Sequence, residues 1–177
     1  MPSPSALLDR YESPIHKRDT IELSADRYEA GIERGDDGAW GVGALVVSAG
    51  RVLFVREGET WLLPGGKLHA DESVEAGARR EVREETGIDI ELSTLGAVAE
   101  QTFRHPERDD SYQFYFATFV AEPRPPEPEP TAAAEAVDEA AWLQSVPEST
   151  FDRELVVRLV ERYSGSEAKA HPFQGCG

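Results

Sequence analysis

The chain has 177 residues, enough for one domain with a proper core and terminal additions. Its 40% hydrophobic residues, with three Trp, seven Phe and five Tyr, exclude a disordered chain. Its net charge of -16, from 34 acidic and 18 basic residues, argues against general attraction to nucleic acid or to an anionic membrane surface.

Lysine occurs only at Lys17, Lys67 and Lys169, so the expected surface is rich in Asp and Glu and poor in Lys. That composition fits either a salt-adapted (halophilic) protein, in which counterions screen the repulsion, or an acidic protein from an Arg-rich proteome. The first is the preferred reading. The single cysteine, Cys176, excludes an intrachain disulfide, and four scattered histidines give no zinc spacing. Without an apolar leader-like or membrane-length run, the simplest expectation is a cytoplasmic location.

Residues 1–37 are polar and mixed and read as an N-terminal extension, with TIEL as a short strand and Ser24 capping a helix through ADRYEAGIER. From Trp40 the runs WGVGALVVSAG and RVLFVRE, separated by small residues, predict a hairpin. TWLLP is a third short apolar run ended by Pro64, and Pro64-Gly65-Gly66 signals a loop. A helix is predicted from about residue 73 to 86, capped by Asp71 or Ser73 and closed by Gly87. IELSTLGAVAEQTF and SYQFYFATFV read as strands joined by the charged loop RHPERDD. EPRPPEPEP predicts an extended, solvated segment, and VDEAAWL a last strand. An amphipathic helix follows, with Leu155, Val156, Leu159 and Val160 on its apolar face, and residues 164–177 read as a tail.

The predicted central helix carries Glu81, Glu84 and Glu85. At about 100° per residue, Glu84 lies about 60° to one side of Glu81 and Glu85 about 40° to the other, so the three share a face. Like-charged neighbours at these spacings each cost a helix roughly 0.2–0.5 kcal/mol, which a solvated surface tolerates. The surroundings make the cluster informative. Gly66, five residues, Glu72, seven residues and then Arg80-Glu81-Val82-Arg83-Glu84-Glu85-Thr86-Gly87-Ile88 spell G-x5-E-x7-R-E-U-x-E-E-x-G-U, with U aliphatic and every specified position filled.

This stretch closely resembles the signature of the Nudix hydrolases (MutT-like), and the order of elements is similar from about Trp40 to Tyr163, giving a domain over residues 38–163. The resemblance implies an α/β fold of the Nudix α/β/α sandwich type with a mixed β-sheet. It also implies a pyrophosphatase that hydrolyses a nucleoside diphosphate linked to another moiety with the help of Mg²⁺ or Mn²⁺. A few carboxylates on a rigid helix suit Mg²⁺, which keeps waters and substrate phosphates in its shell.

Carried over position by position, the resemblance makes Glu84 and Glu85 the main metal ligands and Glu81 a metal ligand or the general base. It makes Gly65 the source of a backbone carbonyl ligand. Glu72 and Arg80 become a structural brace, and Gly66 and Gly87 the residues that let the backbone turn. Glu135 resembles the fourth carboxylate that assists from beyond the motif, with a solvated loop as the equal alternative.

Substrate specificity is sought in QTFRHPERDD, where Phe103 could stack on a base and Arg104 or Arg108 could meet phosphate. In the alternative reading Phe103 is core and the arginines pair with neighbouring acids. The proline that marks ADP-ribose hydrolases has a counterpart in Pro106, slightly further along than the usual pattern, so ADP-ribose-like and nucleoside triphosphate substrates both stay open. A different class, a Nudix-like module that binds a small nucleotide and regulates a partner without hydrolysis, is disfavoured by the complete set of glutamates. A homodimer interface on residues 1–37 is compatible with either class.

Overall fold

The computed structural model describes residues 2–124 and 129–164. The centre of the proline-rich stretch and nearly all of the C-terminal tail therefore lie outside the described residues.

Short-range signals set most elements. Helix α1 (Pro4–Asp9) is capped by the Ser3 hydroxyl, and α2 (Ala25–Glu33) by Ser24, which accepts from the Arg27 N–H. Strand β1 (Ile15–Glu22) takes in Thr20, Ile21 and Glu22 of the TIEL run but begins earlier, at Ile15, and stops before Leu23. Strands β2 (Trp40–Ser48) and β3 (Arg51–Glu57) form the hairpin. Both turn residues, Ala49 and Gly50, have positive φ (51° and 76°), the turn whose twist matches its flanking strands. The short strands β4 (Thr60–Leu62) and β5 (Gly65–Lys67) flank Pro64.

Helix α3 (Val74–Thr86) starts at Ser73, whose hydroxyl accepts from the Ala76 N–H, and ends at Gly87 with φ 75°. Strands β6 (Ile90–Arg104), β7 (Ser111–Pro123) and β8 (Glu139–Leu143) follow, then α4 (Arg153–Leu159) with a π-type turn over Val160–Ser164.

The sheet runs β1-β6-β7-β2-β3-β4, with β5 paired to β2 and β8 to β3. It is mixed, because β1–β6 and β2–β7 are parallel while β6–β7 and β2–β3 are antiparallel. Alternation along the strands divides the core between two faces. Val42, Val98 and Phe119 pack with Leu68 after β5 and with Val74 and Ala78 at the start of α3, and Ala44, Val46 and Leu53 pack with Val82 further along it. On the other face Leu45, Phe54 and Ala99 meet Leu155, Val156 and Leu159 of α4. This is an α/β/α arrangement with a mixed sheet.

The N-terminal segment packs into this body. Leu7 is fully buried beside Trp40 and Phe119, and β1 runs alongside residues 97–104 of β6. We expect Leu7→Ala to cost about 2–4 kcal/mol, the usual penalty for emptying a buried leucine site. Chemical denaturation monitors it, and an unchanged midpoint would mean that α1 adds nothing to the stability of the fold.

Candidate active site

Two close backbone approaches set the site. A Cβ on Gly65 would stand 2.6 Å from the Val42 carbonyl and 2.9 Å from Gly43 Cα, so β5 reaches β2 only because both positions lack side chains. A Cβ on Gly66 would lie 2.5 Å from a carboxylate oxygen of Glu81. The double glycine thus threads the chain between the sheet and the carboxylates of α3.

On α3, Val74, Ala78, Val82 and Glu85 are buried at spacings of four, four and three, so a carboxylate continues the apolar stripe. Glu85 is 9% exposed, and its Oε1 accepts from the Gly65 N–H at 2.7 Å. Burial above all, with the charges of Glu81, Glu57 and Glu84 and against the opposing Gly65 hydrogen bond, raises its pKa to about 7.

An acid raised above its ordinary value of 4.5 weakens the fold where it is ionised. The cost is absent below that value, grows as pH rises, and is complete in the metal-free protein above about pH 7. Glu81 is also half-buried and shifted upward, mainly by burial, with Arg80 opposing. Glu84 is exposed.

Arg80 ties these groups together. Its guanidinium holds Glu72 through Nε at 2.9 Å and Nη2 at 2.5 Å, reaches the Lys67 carbonyl at 3.1 Å, and donates from Nη1 to Glu81 at 2.8 Å and Glu84 at 3.1 Å. Glu72 also accepts from the His69 N–H at 2.9 Å, and Arg80 above all holds its pKa down to about 2. The pair joins the loop after Gly66 to the helix.

The donor set suits a divalent cation. Three oxygen-bearing side chains stand on one helix face, and the most buried of them is repelled by the others. Among the described residues no three acidic or imidazole side chains form a closed metal shell, since Arg80 takes up Glu81 and Glu84 while Glu85 faces Gly65.

Glu135 lies in an exposed turn. That segment docks on the end of α3, with the Ala133 N–H donating to the Glu85 backbone carbonyl at 3.0 Å. Glu57 was not singled out in the sequence. On β3 it follows Leu53 and Val55 at two-residue spacing, on the face toward α3, and that period-two pattern is the signal that would have found it.

A cavity of about 540 Å³ lies on the α4 side of the sheet and reaches Gly65. Phe103 lines it, in contact with Tyr112 at a ring separation of 5.3 Å. Arg104 is exposed and lies outside the lining. Arg108 pairs with Glu29 at 2.6 Å and Asp110 at 3.0 Å, tying the β6–β7 loop to α2, and lies outside the lining as well. Gln101, Thr118, Phe114 and Phe116, together with Arg27 of α2 and Arg34 just after it, line the cavity and were missed in the sequence.

This sheet, the carboxylate-bearing helix and the glycine loop together define a Nudix-type domain. The NUDIX domain model matches residues 38–158, and the chain belongs to the Nudix family. A "MutT-like protein" of Streptomyces ambofaciens is 47% identical over 64 residues, covering 35% of this chain and 42% of that protein. An "8-oxo-dGTP diphosphatase" of Proteus vulgaris is 37% identical over 73 residues, covering 41% of this chain and 63% of that protein. The chain thus spans less than two thirds of either curated relative. Among solved structures, a NUDIX hydrolase from Nitrosomonas europaea shares the fold with a TM-score of 0.56, at 21% identity over 72% of this chain and 73% of that one.

Gly66 gives a separable test of the site. A methyl group there meets the end of a flexible side chain, so Gly66→Ala should leave the melting temperature nearly unchanged while moving the Glu81 carboxylate. If the Glu81 carboxylate takes part in turnover, turnover should fall about tenfold or more, the cost of displacing a catalytic group. Full turnover in a folded Gly66→Ala protein would show that the Glu81 position does not matter.

Proposed function

We propose that the chain is a divalent-metal-dependent pyrophosphohydrolase that cleaves a phosphoanhydride in a small nucleotide. Its substrate is a nucleoside diphosphate linked to another moiety, either a nucleoside triphosphate or an ADP-ribose-like compound. The observation that carries this reading is the nine-tenths buried carboxylate of Glu85, held under the Gly65 N–H and repelled by three neighbouring carboxylates. Membership in the Nudix family and the name of the Proteus relative support it.

Glu81, Glu84 and Glu85 would hold Mg²⁺ or Mn²⁺, with the Gly65 carbonyl completing the protein's share and Glu135 assisting from its turn. Bound there, the cation would offset the charge of the diphosphate and make water a better nucleophile. Glu81 also serves as the general base and accepts the proton of the attacking water at a carboxylate oxygen. Its half-buried position and raised pKa suit that task, because they make it more basic than an exposed carboxylate. Arg80 positions Glu81 and Glu84 through a single guanidinium, while its grip on Glu72 fixes the loop. Gly65 orients Glu85 by its N–H.

The acidic, lysine-poor composition supports a salt-adapted protein, so activity belongs in assays at both low and molar KCl. Glu84→Gln and Glu85→Gln should each lower Mg²⁺-dependent turnover by on the order of 10²-fold or more while the fold persists. Product analysis over nucleoside triphosphates, ADP-ribose and nucleotide sugars reads this out. Near wild-type turnover in either variant at saturating Mg²⁺ would remove the metal assignment. Binding without cleavage by the wild type under every salt and metal condition would favour a regulatory module.

A further inference from the structure

The start of α4 is placed by a residue outside the region matched to the family. Asp152, the N-cap residue of α4, has φ 49° and ψ 48°, and its side chain makes no capping hydrogen bond. An aspartate at this position ordinarily satisfies the free N–H groups of its own helix with its carboxylate. This one serves β1 instead, because its Oδ1 accepts from Lys17 Nζ at 2.5 Å, and Lys17 precedes the matched residues 38–158.

Lys17 is committed to that contact. The Lys17 and Asp152 side chains are only 16% and 19% exposed, and Asp19 brings a second carboxylate to the ammonium at 3.1 Å. Burial acts to lower the Lys17 pKa, but its hydrogen bonds to Asp152 and Asp19 prevail and raise it, so the ammonium stays charged at neutral pH. Ile15, two residues earlier and on the same face of β1, shares a buried cluster with Leu155 and Val156 of α4. One strand therefore seats the helix through an apolar and an ionic contact.

The residues just before Asp152 are fastened elsewhere. Phe151 donates its N–H to the Trp61 carbonyl at 2.8 Å, and the Ser149 carbonyl accepts from the Trp61 N–H at 3.1 Å. Trp61 belongs to β4, and β4 and β1 stand at opposite ends of the strand order. Consecutive residues thus tie the two outermost strands together along the cavity, which Leu62, Phe151, Asp152 and Leu155 all line. Phe151 is 59% exposed although it lines the cavity, so its ring stands where the cavity meets solvent.

We propose that Lys17 is a positioning residue of the cavity: through Asp152 it fixes the start of α4 and keeps Phe151 at the mouth, so the N-terminal strand governs how tightly a ligand is held there. That this ligand is the substrate rests on the hydrolase reading above, whereas the positioning itself is measurable without turnover. Breaking the pair leaves a largely enclosed carboxylate without its counter-charge, on a backbone conformation that non-glycine residues seldom adopt.

The test is hydrogen exchange of the full chain, wild type against Lys17→Met, which keeps the length of the side chain and removes its charge. The Phe151 N–H should exchange about tenfold faster, while the Ala78 and Val82 N–H groups of α3 keep their wild-type rates. Asp152→Asn should reproduce the effect from the other partner, and Lys17→Arg, which retains the charge, should restore most of the protection. Unchanged exchange at Phe151 in both Lys17→Met and Asp152→Asn would overturn the proposal. So would a parallel rise in α3, which would make Lys17 a prop of the whole fold, and so would Lys17→Arg behaving as Lys17→Met does.

If hydrolysis is observed, Lys17→Met should raise KM about threefold or more with kcat nearly unchanged, because the α3 carboxylates lie on the other face of the sheet. A fall in kcat at unchanged KM would contradict the assignment. Faster Phe151 exchange in a chain that hydrolyses nothing would support the positioning role and sink the hydrolase reading, whereas hydrolysis with unchanged Phe151 exchange would do the reverse.

Discussion

The hydrogen bond from the Gly65 N–H to Glu85 holds the site together. It joins strand β5, paired to β2, to the helix packed on the sheet, and β5 reaches β2 only because Gly43 and Gly65 let two backbones meet where a single Cβ would collide. The same glycine borders the cavity on the opposite face of the sheet. One residue without a side chain therefore connects the carboxylate cluster on the α3 side to the aromatic pocket on the α4 side. A ligand spanning both would pass it.

The electrostatics of α3 oppose the stability of the isolated fold. Glu85 stands where an apolar residue would complete the buried stripe of Val74, Ala78 and Val82, and its burial, with the charges of its neighbours, pushes its proton affinity upward. Arg80 offsets part of this by bonding Glu72, Glu81 and Glu84 together, so the array keeps its geometry without a ligand. Glu72, clamped by Arg80, contributes stability above its ordinary pKa and loses it only as pH falls toward about 2. The brace and the strained carboxylate thus respond to pH in opposite directions.

Local chemistry explains how much could be read in advance. Helix α3 was legible because Ser73 and Gly87 mark its ends, and its three glutamates stood out because the motif around them is long and fully specified. The β2–β3 hairpin was legible from two β-branched runs around Ala49-Gly50. The embedding of β1 and Leu7 was not, since parallel pairing with β6 joins residues some eighty positions apart and leaves no short-range trace. The cavity failed for the same reason, as Arg27 and Gln101 come to line one cavity only in the folded chain. Phe103 and Arg104 shared one sequence reading, but strand alternation sends them to opposite faces, and Arg108 is taken by Glu29 and Asp110. Gln101 carried a usable clue, being a polar residue in phase with buried Ala97 and Ala99.

The central claim is that the α3 carboxylates and the Gly65 loop form one cation site. The most direct measurement is anomalous diffraction from crystals equilibrated with Mn²⁺. The account predicts a strong peak among Glu81, Glu84 and Glu85 and within ligand distance of Gly65, with the Glu81 and Glu84 carboxylates turned from Arg80 toward the ion. Saturating Mn²⁺ that leaves this position without a peak, or that binds only elsewhere on the acidic surface, would contradict it.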